Sequence, residues 1–451
     1  MQQHIILRSL FYVLIACNMV SHGANTVIGT LSDPSHMLAE PTAIVISPDG
    51  LTGYIANGLG GTGGAGSVSI FNVATQAVTG TVTDLNIPTF NNPQSLAITP
   101  DGTTLYVTNN TGNSVSIVDT ATKMVTGTIN DVAGPFNGPF GIALTPNGSL
   151  GYVSNLNDNS ISYFSVGGAV IGKITDPSLN GPNSIAITPN GTTAYISNAN
   201  GTTVSILDTS SQTISGTLTD SGSTINGPNG ILVTPDGSIG YVANTGNNSV
   251  SYFSTTSQSV INTVSNGTFN APFALAITPD GTTLYVTNIG DGVSIVDTAT
   301  NAVTGPVRDP GNTFQGPVAI AITPDGRFAY VVNEGNNTVS IIALTAPPPI
   351  NVPVPQNVRA SARRNIFLTQ TDLINVITWQ PAVGTPSPVS YAIYRDAALT
   401  NLVGTVSTTD PLLLLDHNRQ PTTTYTYYVV SVDSSGNSST PVVVVVVSAS
   451  A

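Results

Sequence analysis

Short segments that alternate polar and apolar residues recur along most of the chain. Ser114–Asp119 reads Ser-Val-Ser-Ile-Val-Asp, whereas Leu96–Ile98 is apolar throughout and Tyr106–Thr108 begins with an aromatic residue. A repeat of two residues fits a β-strand, because successive side chains of a strand point to opposite faces, and it does not fit a helix. The pattern therefore predicts an all-β protein.

A turn motif, Thr/Ser-Pro-Asp/Asn-Gly, separates two of these segments in each repeat. Proline fixes φ, Asp or Asn tolerates turn conformations and glycine accepts positive φ, so the motif reverses the chain between two strands. The copies are spaced by about 46 residues on average, which fits a four-stranded propeller blade and is too long for the shorter solenoid repeats. The prolines of the seven copies are Pro48, Pro100, Pro146, Pro189, Pro235, Pro279 and Pro324.

The two ends of the repeat region complement each other. After the segment Thr338–Leu344, which corresponds to a third strand, the chain enters a proline run and no fourth strand follows. Near the N-terminus, Ile28–Asp33 matches the fourth-strand segment Ile214–Asp220 if one inserted residue is allowed. Residues 25–345 are therefore predicted to form a seven-bladed β-propeller in which the N-terminal strand closes the last blade.

The repeat resembles a known family. Tyr106-Val107-Thr108-Asn109 recurs at 285–288 and, with substitutions, at 152–155 and 241–244. Together with the Pro-Asp-Gly turn and the Val-Ser-Ile-Val-Asp strand, it is similar to the YVTN β-propeller repeat. The resemblance implies a propeller from an exported or surface-associated protein. It leaves the activity open, since the wider propeller group also includes lactonases and lyases.

A second module follows a proline-rich linker at residues 346–355, which is expected to be extended. In residues 356–451, three blocks, Val376–Trp379, Tyr391–Asp396 and Tyr425–Asp433, resemble a fibronectin type III domain. They carry the core tryptophan, a central tyrosine strand and, at Tyr425, the tyrosine-corner position. The run Val442–Val447 predicts a final, buried strand. We expect a β-sandwich that serves as a spacer or binding accessory.

Residues 1–24 have the layout of a signal peptide: Arg8 is followed by an apolar run from Leu10 to Ala16, which is too short to span a bilayer. Leu14–Cys17 resembles the lipobox of bacterial lipoproteins, in which the cysteine is lipidated. The alternative is that Cys17 belongs to the apolar run and that cleavage follows near Gly23. Both alternatives predict an exported protein, located in the periplasm, at the cell surface or outside the cell.

The charge balance limits the partners. Charged residues make up 7% of the chain, against roughly 25% in average soluble proteins. Residues 25–344 contain four basic and eighteen acidic side chains, and the basic ones, Lys123, Lys173, Arg308 and Arg327, lie in separate repeats. Binding to nucleic acid requires clustered Lys or Arg, so nucleic acid is not an expected partner. The same argument disfavours an anionic membrane surface, which leaves a lipid anchor as the expected link to a membrane.

Small-ligand sites of propellers lie at the mouth of the central channel, where the loops that lead into the innermost strands converge. The residue after the proline that begins each of these strands is therefore the candidate binding position. None of the seven residues ionises, and a hydrolase or lyase needs an acid, a base, a nucleophile or a metal. The ring consists of Thr42, Gln94, Phe140, Asn183, Asn229, Phe273 and Val318.

The loops that precede this ring carry a second repeated feature, a carboxylate. We expect each aspartate to bond the backbone of its own turn; the alternative is a cation-attracting face. Asp33, His36 and Glu40 form a weak candidate metal set, because all three lie on one short loop. In asparagine-rich turns such as Asn244–Asn248, we expect asparagine to adopt positive φ. The glycine-rich stretch 58–66 is predicted to be a flexible insertion. The six aspartates are Asp33, Asp84, Asp131, Asp176, Asp220 and Asp309, and Asn266 breaks the series.

These observations favour an exported, non-catalytic binding or scaffold protein whose propeller recognises a protein or a carbohydrate at the cell surface, with no cofactor. Two alternatives stay open. A propeller enzyme of the lactonase or lyase kind would require ionisable groups that converge at one mouth. A surface-layer component would assemble with copies of itself.

Overall fold

The computed structural model describes two compact units, residues 1–346 and 347–451. The described residues are 25–35, 37–58, 66–82, 90–129, 136–290, 292–344, 353–367, 370–383, 388–395, 401–417, 419–432 and 438–449. Nearly all of their regular structure is β-strand, with two short 3₁₀ turns at Thr245–Asn247 and Glu334–Asn336. None of the helices within these residues has the length and hydropathy needed to cross a bilayer.

The described residues of the first unit form seven four-stranded antiparallel sheets, which we number as blades 1–7 by the order of their first strands. The first strands are Pro41–Ile46, Pro93–Ile98, Pro139–Leu144, Pro182–Ile187, Pro228–Val233, Pro272–Ile277 and Pro317–Ile322. The second strands are Thr52–Asn57, Thr104–Asn109, Leu150–Asn155, Thr193–Asn198, Ile239–Asn244, Thr283–Asn288 and Phe328–Asn333.

The outer half of each blade is built in the same way from a third and a fourth strand. The third strands are Ser67–Asn72, Ser114–Asp119, Ser160–Ser165, Val204–Asp208, Ser249–Ser254, Val293–Asp297 and Thr338–Ala343. The fourth strands of blades 1–6 are Ala77–Thr81, Met124–Ile129, Val170–Thr175, Thr213–Thr217, Ser259–Ser265 and Ala302–Pro306.

First strands of neighbouring blades contact one another in sequence, and the first strand of blade 7 contacts that of blade 1. The seven sheets thus form a closed ring around a channel lined by their first strands. The all-β prediction and the propeller prediction are confirmed. We call the end of the channel where the first strands begin the mouth, and the end with the Pro-Asp-Gly turns the turn face.

The N-terminal strand Thr26–Thr30 completes blade 7, as predicted: it pairs with Thr338–Ala343, with Thr26 opposite Ala343 and Thr30 opposite Ser340. The predicted one-residue insertion was wrong. Val27–Leu31 is equivalent to Ile214–Leu218 without a gap, because both segments contain a bulge at the same place, in Val27–Gly29 and in Ile214–Gly216. A match of Ile28 with Ile214 is therefore one residue out of register at this bulge.

The core of the propeller lies between blades. Among the described residues, each large apolar cluster of this unit combines side chains from two neighbouring blades, and the cluster around Val27, Tyr285 and Ile342 joins blades 6 and 7. A tyrosine in each second strand is at most 2% exposed. Its ring packs toward the next blade, as in the pair Tyr106 and Phe164, whose centroids are 5.1 Å apart. The seven tyrosines are Tyr54, Tyr106, Tyr152, Tyr195, Tyr241, Tyr285 and Tyr330.

The tyrosine hydroxyls add polar links between blades. Tyr152 donates to Gln212 Oε1 (3.0 Å), and Tyr285 of blade 6 donates to Asn25 Oδ1 (2.6 Å), directly before the N-terminal strand. Burial raises the pKa of Tyr241 to about 12. Its hydroxyl therefore stays protonated at neutral pH and donates to Asn301 Oδ1 at 2.8 Å.

The second unit consists of two antiparallel sheets. One has the order Gln356–Phe367, Gln370–Gln380, Leu413–Asp416; the other has the order Leu402–Ser407, Ser390–Tyr394, Thr424–Val432, Val442–Val447. Trp379, Tyr391 and Tyr427 lie in one core cluster with residues from both sheets. The expectation of a buried last strand was wrong for half of its residues, because Val443, Val445 and Val447 are more than 50% exposed. This strand lies at a sheet edge and buries only one face.

Deletion of residues 25–33 should lower the melting temperature by several degrees or cause aggregation. The deletion exposes the third strand of blade 7 as a sheet edge and removes the buried Val27 from the cluster shared by blades 6 and 7. Thermal unfolding followed by circular dichroism checks this result.

Two point variants of this strand separate the loss of buried packing from the effect of any substitution in the strand. Val27→Ala should cost about 2 kcal/mol of unfolding free energy, since it leaves a cavity between blades. Thr30→Ala, at an exposed position of the same strand, should change it little. Equal effects of the two variants would argue against closure by this strand.

Candidate functional site

All seven candidate ring residues lie at the second position of a first strand, at the mouth, and all are half-buried. Phe140, Asn183, Asn229 and Phe273 come from four consecutive blades, 3 to 6. Asn183 Nδ2 donates to Asn229 Oδ1 at 2.9 Å, so side chains of neighbouring blades touch across the ring. Blades 3 to 6 therefore present an arc of two linked amides flanked by two aromatic rings.

Hydroxyl groups of the preceding blade bind the backbone of this arc. Thr108 Oγ1 donates to Phe140 O at 2.7 Å, Ser154 Oγ to Asn183 O at 2.5 Å, and Ser197 Oγ to Asn229 O at 2.5 Å. These hydroxyls occupy the third position of the Tyr-Val-Thr-Asn motif. The backbone of the arc is fixed by bonds between blades, so its side chains are the variable part of the mouth.

The remaining ring residues form local bonds. Thr42 Oγ1 donates to Pro93 O at 2.9 Å and so links blades 1 and 2. Gln94 Nε2 donates to Asn92 Oδ1 at 2.8 Å. Val318 packs against the apolar cluster shared by blades 7 and 1. These three side chains therefore serve the architecture directly.

The residue after each ring position is small, because neighbouring first strands approach closely there. A Cβ added to Gly141 would lie 2.1 Å from Asn183 O, and one added to Gly230 would lie 2.4 Å from Phe273 O. Such distances cannot occur without a shift of the backbone. The spacing of the mouth is therefore set by main-chain contact between blades.

The carboxylates of the lead-in loops bond their own loops, as predicted. Asp33 accepts from Met37 N (3.0 Å) and Leu38 N (2.9 Å), and Asp220 accepts from Ile225 N at 2.8 Å. Asp176 and Asp309 also accept from nearby backbone amides, as does Asn266 at the position that breaks the series. Asp84 and Asp131 lie outside the described residues.

The candidate metal set is not assembled from its described members. His36 lies outside the described residues, and the Asp33 carboxylate is already held by two backbone amides. Within the described part of the chain, no group of three or more His, Cys, Asp and Glu residues lies close enough to hold a metal ion. The glycine-rich insertion is described only at Gly58 and Gly66.

The asparagine-rich turns have a role that the sequence did not reveal. Asn113, Asn159, Asn248 and Asn337 adopt positive φ, as predicted for such turns. Each side chain also accepts from a backbone amide of the next blade, and Asn337 of blade 7 accepts from Glu40 N of blade 1 at 2.7 Å. The signal in the sequence is their regular position, since each of the four is the residue directly before a third strand.

On the opposite face, the Pro-Asp-Gly turns bind their own carboxylates. Thr99 Oγ1 donates to Asp101 Oδ1 (2.6 Å), and Thr234 Oγ1 donates to Asp236 Oδ1 (2.5 Å). The Thr99 hydroxyl and the Thr103 amide lower the pKa of Asp101, and the Thr234 hydroxyl and the Ser238 amide lower that of Asp236. Asn147 makes the same bond with Thr145 at 2.8 Å, so the turn does not require a charge.

Clefts open between neighbouring turns on this face. One of about 450 Å³ lies between blades 4 and 5 and is lined by Asn190, Thr192, Asp236 and Thr255. An equivalent cleft of about 270 Å³ lies between blades 5 and 6. Their hydroxyl-rich walls repeat the same turn residues, so the clefts are a consequence of the repeat.

Comparisons with known proteins agree with the propeller fold. A family model described as "Lactonase, 7-bladed beta-propeller" matches residues 121–233, which extend from the outer part of blade 2 to the first strand of blade 5. The similarity thus covers part of the ring. No curated protein sequence matches the chain.

Two solved structures resemble the chain over most of its length. Hydrazine synthase of Kuenenia stuttgartiensis is 24% identical with a TM-score of 0.58, and the alignment covers 69% of this chain and 97% of that chain. Virginiamycin B lyase from Staphylococcus aureus is 17% identical with a TM-score of 0.56, covering 70% of this chain and 98% of that chain. At these identities the likeness shows the fold alone: this chain is a β-propeller protein.

Gly141→Ala should lower the unfolding free energy by about 2 kcal/mol, because the new methyl group forces the first strands of blades 3 and 4 apart. Gly80→Ala is the control, since nothing lies within 4 Å of its added Cβ. Urea denaturation of both variants measures the difference. If both variants were equally stable, main-chain contact would not set the spacing of the mouth.

Replacement of Asp101 and Asp236 by Asn should reduce the amount by which the free energy of unfolding falls as the pH is lowered. A carboxylate whose pKa is lowered by folding stabilises the protein above its unfolded pKa, and this contribution disappears as the pH falls through the folded pKa. The double variant should keep near-normal stability at neutral pH, because Asn147 and Asn190 already occupy equivalent turns.

Urea denaturation from about pH 5 down to about pH 2 measures this effect. The reverse variant, Asn147→Asp with Asn190→Asp, is the matched control. It should lose more unfolding free energy than the wild-type protein over the same fall in pH. Parallel pH profiles for all three proteins would contradict the assignment.

Proposed function

We propose that this chain is an exported binding protein whose propeller recognises a neutral glycan or peptide at the channel mouth. The observation that carries the proposal is the arc of Phe140, Asn183, Asn229 and Phe273, with its amide–amide bond at 2.9 Å. Amide groups offer both donors and acceptors, and aromatic rings offer flat apolar faces. Binding sites typically combine apolar and aromatic walls with a few placed polar groups.

The absence of charge from the ring defines the ligand class. None of the seven ring side chains ionises, so a strongly charged ligand would find no complementary charge among them. Asn229 Nδ2 already donates to Thr245 Oγ1 at 2.6 Å. A sugar or a peptide backbone therefore binds the two amides through Asn183 Oδ1 and through the amide hydrogens that these internal bonds leave over, by neutral hydrogen bonds. Because the backbone of the arc is already bound by Thr108, Ser154 and Ser197, its side chains bind on a rigid support, which lowers the entropic cost of association.

The proposal also covers the origin and the accessory module of the protein. In this proposal the protein belongs to the YVTN repeat group and is exported by a signal peptide in residues 1–24. It is then either anchored to a membrane through a lipid at Cys17 or released after cleavage near Gly23. The second unit is a fibronectin type III-like domain. The strand orders of its two sheets support this assignment. Tyr425, the proposed tyrosine corner, supports it as well, because its hydroxyl accepts from Gln420 N at 3.0 Å.

A second candidate is a propeller enzyme of the lactonase or lyase kind. Two observations favour it: the lactonase family model matches residues 121–233, and one structural neighbour is a lyase. It requires a reacting group at the mouth, where the seven ring residues supply hydroxyl, amide, aromatic and aliphatic groups. The two candidates therefore differ in whether the ring turns over a ligand or only holds it.

A glycan and peptide array, probed with the mature protein, tests the binding proposal. Wild-type protein should bind a defined neutral ligand, and Asn229→Ala should weaken that binding about ten-fold, as expected for the loss of one or two well-placed hydrogen bonds. The control is Asn262→Ala, an exposed asparagine on the fourth strand of the same blade, which should bind like wild type.

Incubation of the same proteins with a panel of lactones tests the enzyme. Turnover by wild-type protein that is lost in Asn229→Ala would replace the binding proposal with the enzymatic one. An array ligand whose binding is equally insensitive to Asn229→Ala and Asn262→Ala would place the binding site away from the mouth.

A further inference from the structure

The first strand of the second unit concentrates positive charge. Arg359, Arg363 and Arg364 lie within six residues of Gln356–Phe367, and all three are exposed. Val358, Ala360 and Ala362 of the same strand pack against the core. Arg359 and Arg363 therefore project from the opposite, outer face of the sheet, about 13 Å apart at the usual rise of a strand.

The three arginines have no acidic partner among the described residues. The described carboxylates of this sheet have other partners: Asp416 forms ion pairs with Arg395 Nη2 at 2.7 Å and Arg419 Nε at 3.4 Å, and Asp372 Oδ2 lies at hydrogen-bond distance, 2.6 Å, from His417 Nδ1. The hydroxyl of Tyr427 also donates to Asp416. The carboxylates of the three-stranded sheet are thus already engaged, and the charges of the three arginines are not compensated within it.

The pairing register places exposed leucines on the same face as the arginines. Arg359 lies opposite Thr378, and Thr378 lies opposite Leu413. In the next row of this face, Ser361 lies opposite Val376, and Val376 opposite Leu415. Side chains paired directly across antiparallel strands share one face of a sheet. Leu413 and Leu415 are 41% and 45% exposed, so cations line one edge of the face and aliphatic groups the other.

We propose that this face docks onto an anionic lipid surface. The arginines bind headgroup phosphates, for which the planar guanidinium is well suited, and the leucines enter the boundary between headgroups and acyl chains. A soluble polyanion would engage the arginines and leave the leucines in water. The combination of both edges therefore favours a membrane over a charged polymer.

The rest of the chain gives no general reason for binding an anionic surface. The net charge is −13, and a lipid surface of the same sign repels such a protein unless a local patch outweighs this effect within a Debye length of about 8 Å. The charge argument drawn from residues 25–344 does not extend to the second unit, where the cations are clustered. This inference is independent of the ligand proposed for the channel mouth.

Sedimentation with lipid vesicles tests the proposal on the mature protein without a lipid anchor. Vesicles of equal parts phosphatidylglycerol and phosphatidylcholine should bind it, and vesicles of phosphatidylcholine alone should not. Arg359→Gln with Arg363→Gln should weaken binding about 25-fold, since each basic residue near an anionic surface contributes roughly five-fold. Leu413→Ser with Leu415→Ser should also weaken binding to the vesicles.

Two controls make the test specific. Lys123→Gln with Arg327→Gln removes the same charge from the propeller and should leave vesicle binding within about two-fold of wild type, because these residues lie in separate blades and outside the proposed face. Heparin is a soluble polyanion that can engage only the arginines. The leucine variant should therefore bind heparin like the wild-type protein, and the arginine variant should bind it more weakly. Melting curves confirm that each variant is folded.

Three outcomes would overturn the proposal. The first is no binding of the wild-type protein to phosphatidylglycerol vesicles. The second is an equal loss of binding in the propeller control. The third is binding to vesicles that the leucine substitutions leave unchanged, together with an equal affinity for heparin. This result would identify a soluble polyanion as the partner of Arg359 and Arg363.

Discussion

The packing of each blade against the next is the interaction on which the rest of the propeller depends. Among the described residues, each large apolar cluster of this unit combines side chains of two neighbouring blades. The buried tyrosine of each second strand packs between these two blades, and its hydroxyl bonds the neighbouring blade where a partner is present, as in Tyr152 and Gln212. Blades 7 and 1 meet in the same way, through Tyr330, Phe71 and the bond from Glu40 N to Asn337 Oδ1.

The same packing determines what the channel mouth can vary. The main chain at Phe140, Asn183 and Asn229 is held by hydroxyls of the preceding blade, and the small residues beside it leave no room for a larger side chain. Changes are therefore tolerated mainly in the ring side chains themselves. Their sequence around the ring is uneven, with the amides and aromatic rings collected in blades 3 to 6, and this asymmetry is what a ligand could recognise.

The repeat made the fold predictable, because each turn and strand has a local cause that recurs seven times. The closure by Thr26–Thr30 was also predictable from the missing fourth strand, although the bulge shifted the alignment by one residue. The Asn183–Asn229 bond and the links made by Asn113 and Asn337 were not, since they depend on distances between blades that the sequence does not contain. The clustered arginines were visible in the sequence, but the leucines beside them became neighbours only through the sheet register.

The two units use charge differently. In the propeller, Asp33, Asp220 and the aspartates of the Pro-Asp-Gly turns bond amides or hydroxyls of their own turns. The acidity of this unit is thus a by-product of turn formation and does not by itself indicate a cationic ligand. In the second unit, Asp416 and Asp372 are matched by basic groups, whereas Arg359 and Arg363 stabilise no turn and no ion pair among the described residues. A charge without a structural role retains its full capacity to bind a partner, so the arginine edge is a more informative feature than the larger negative charge of the propeller.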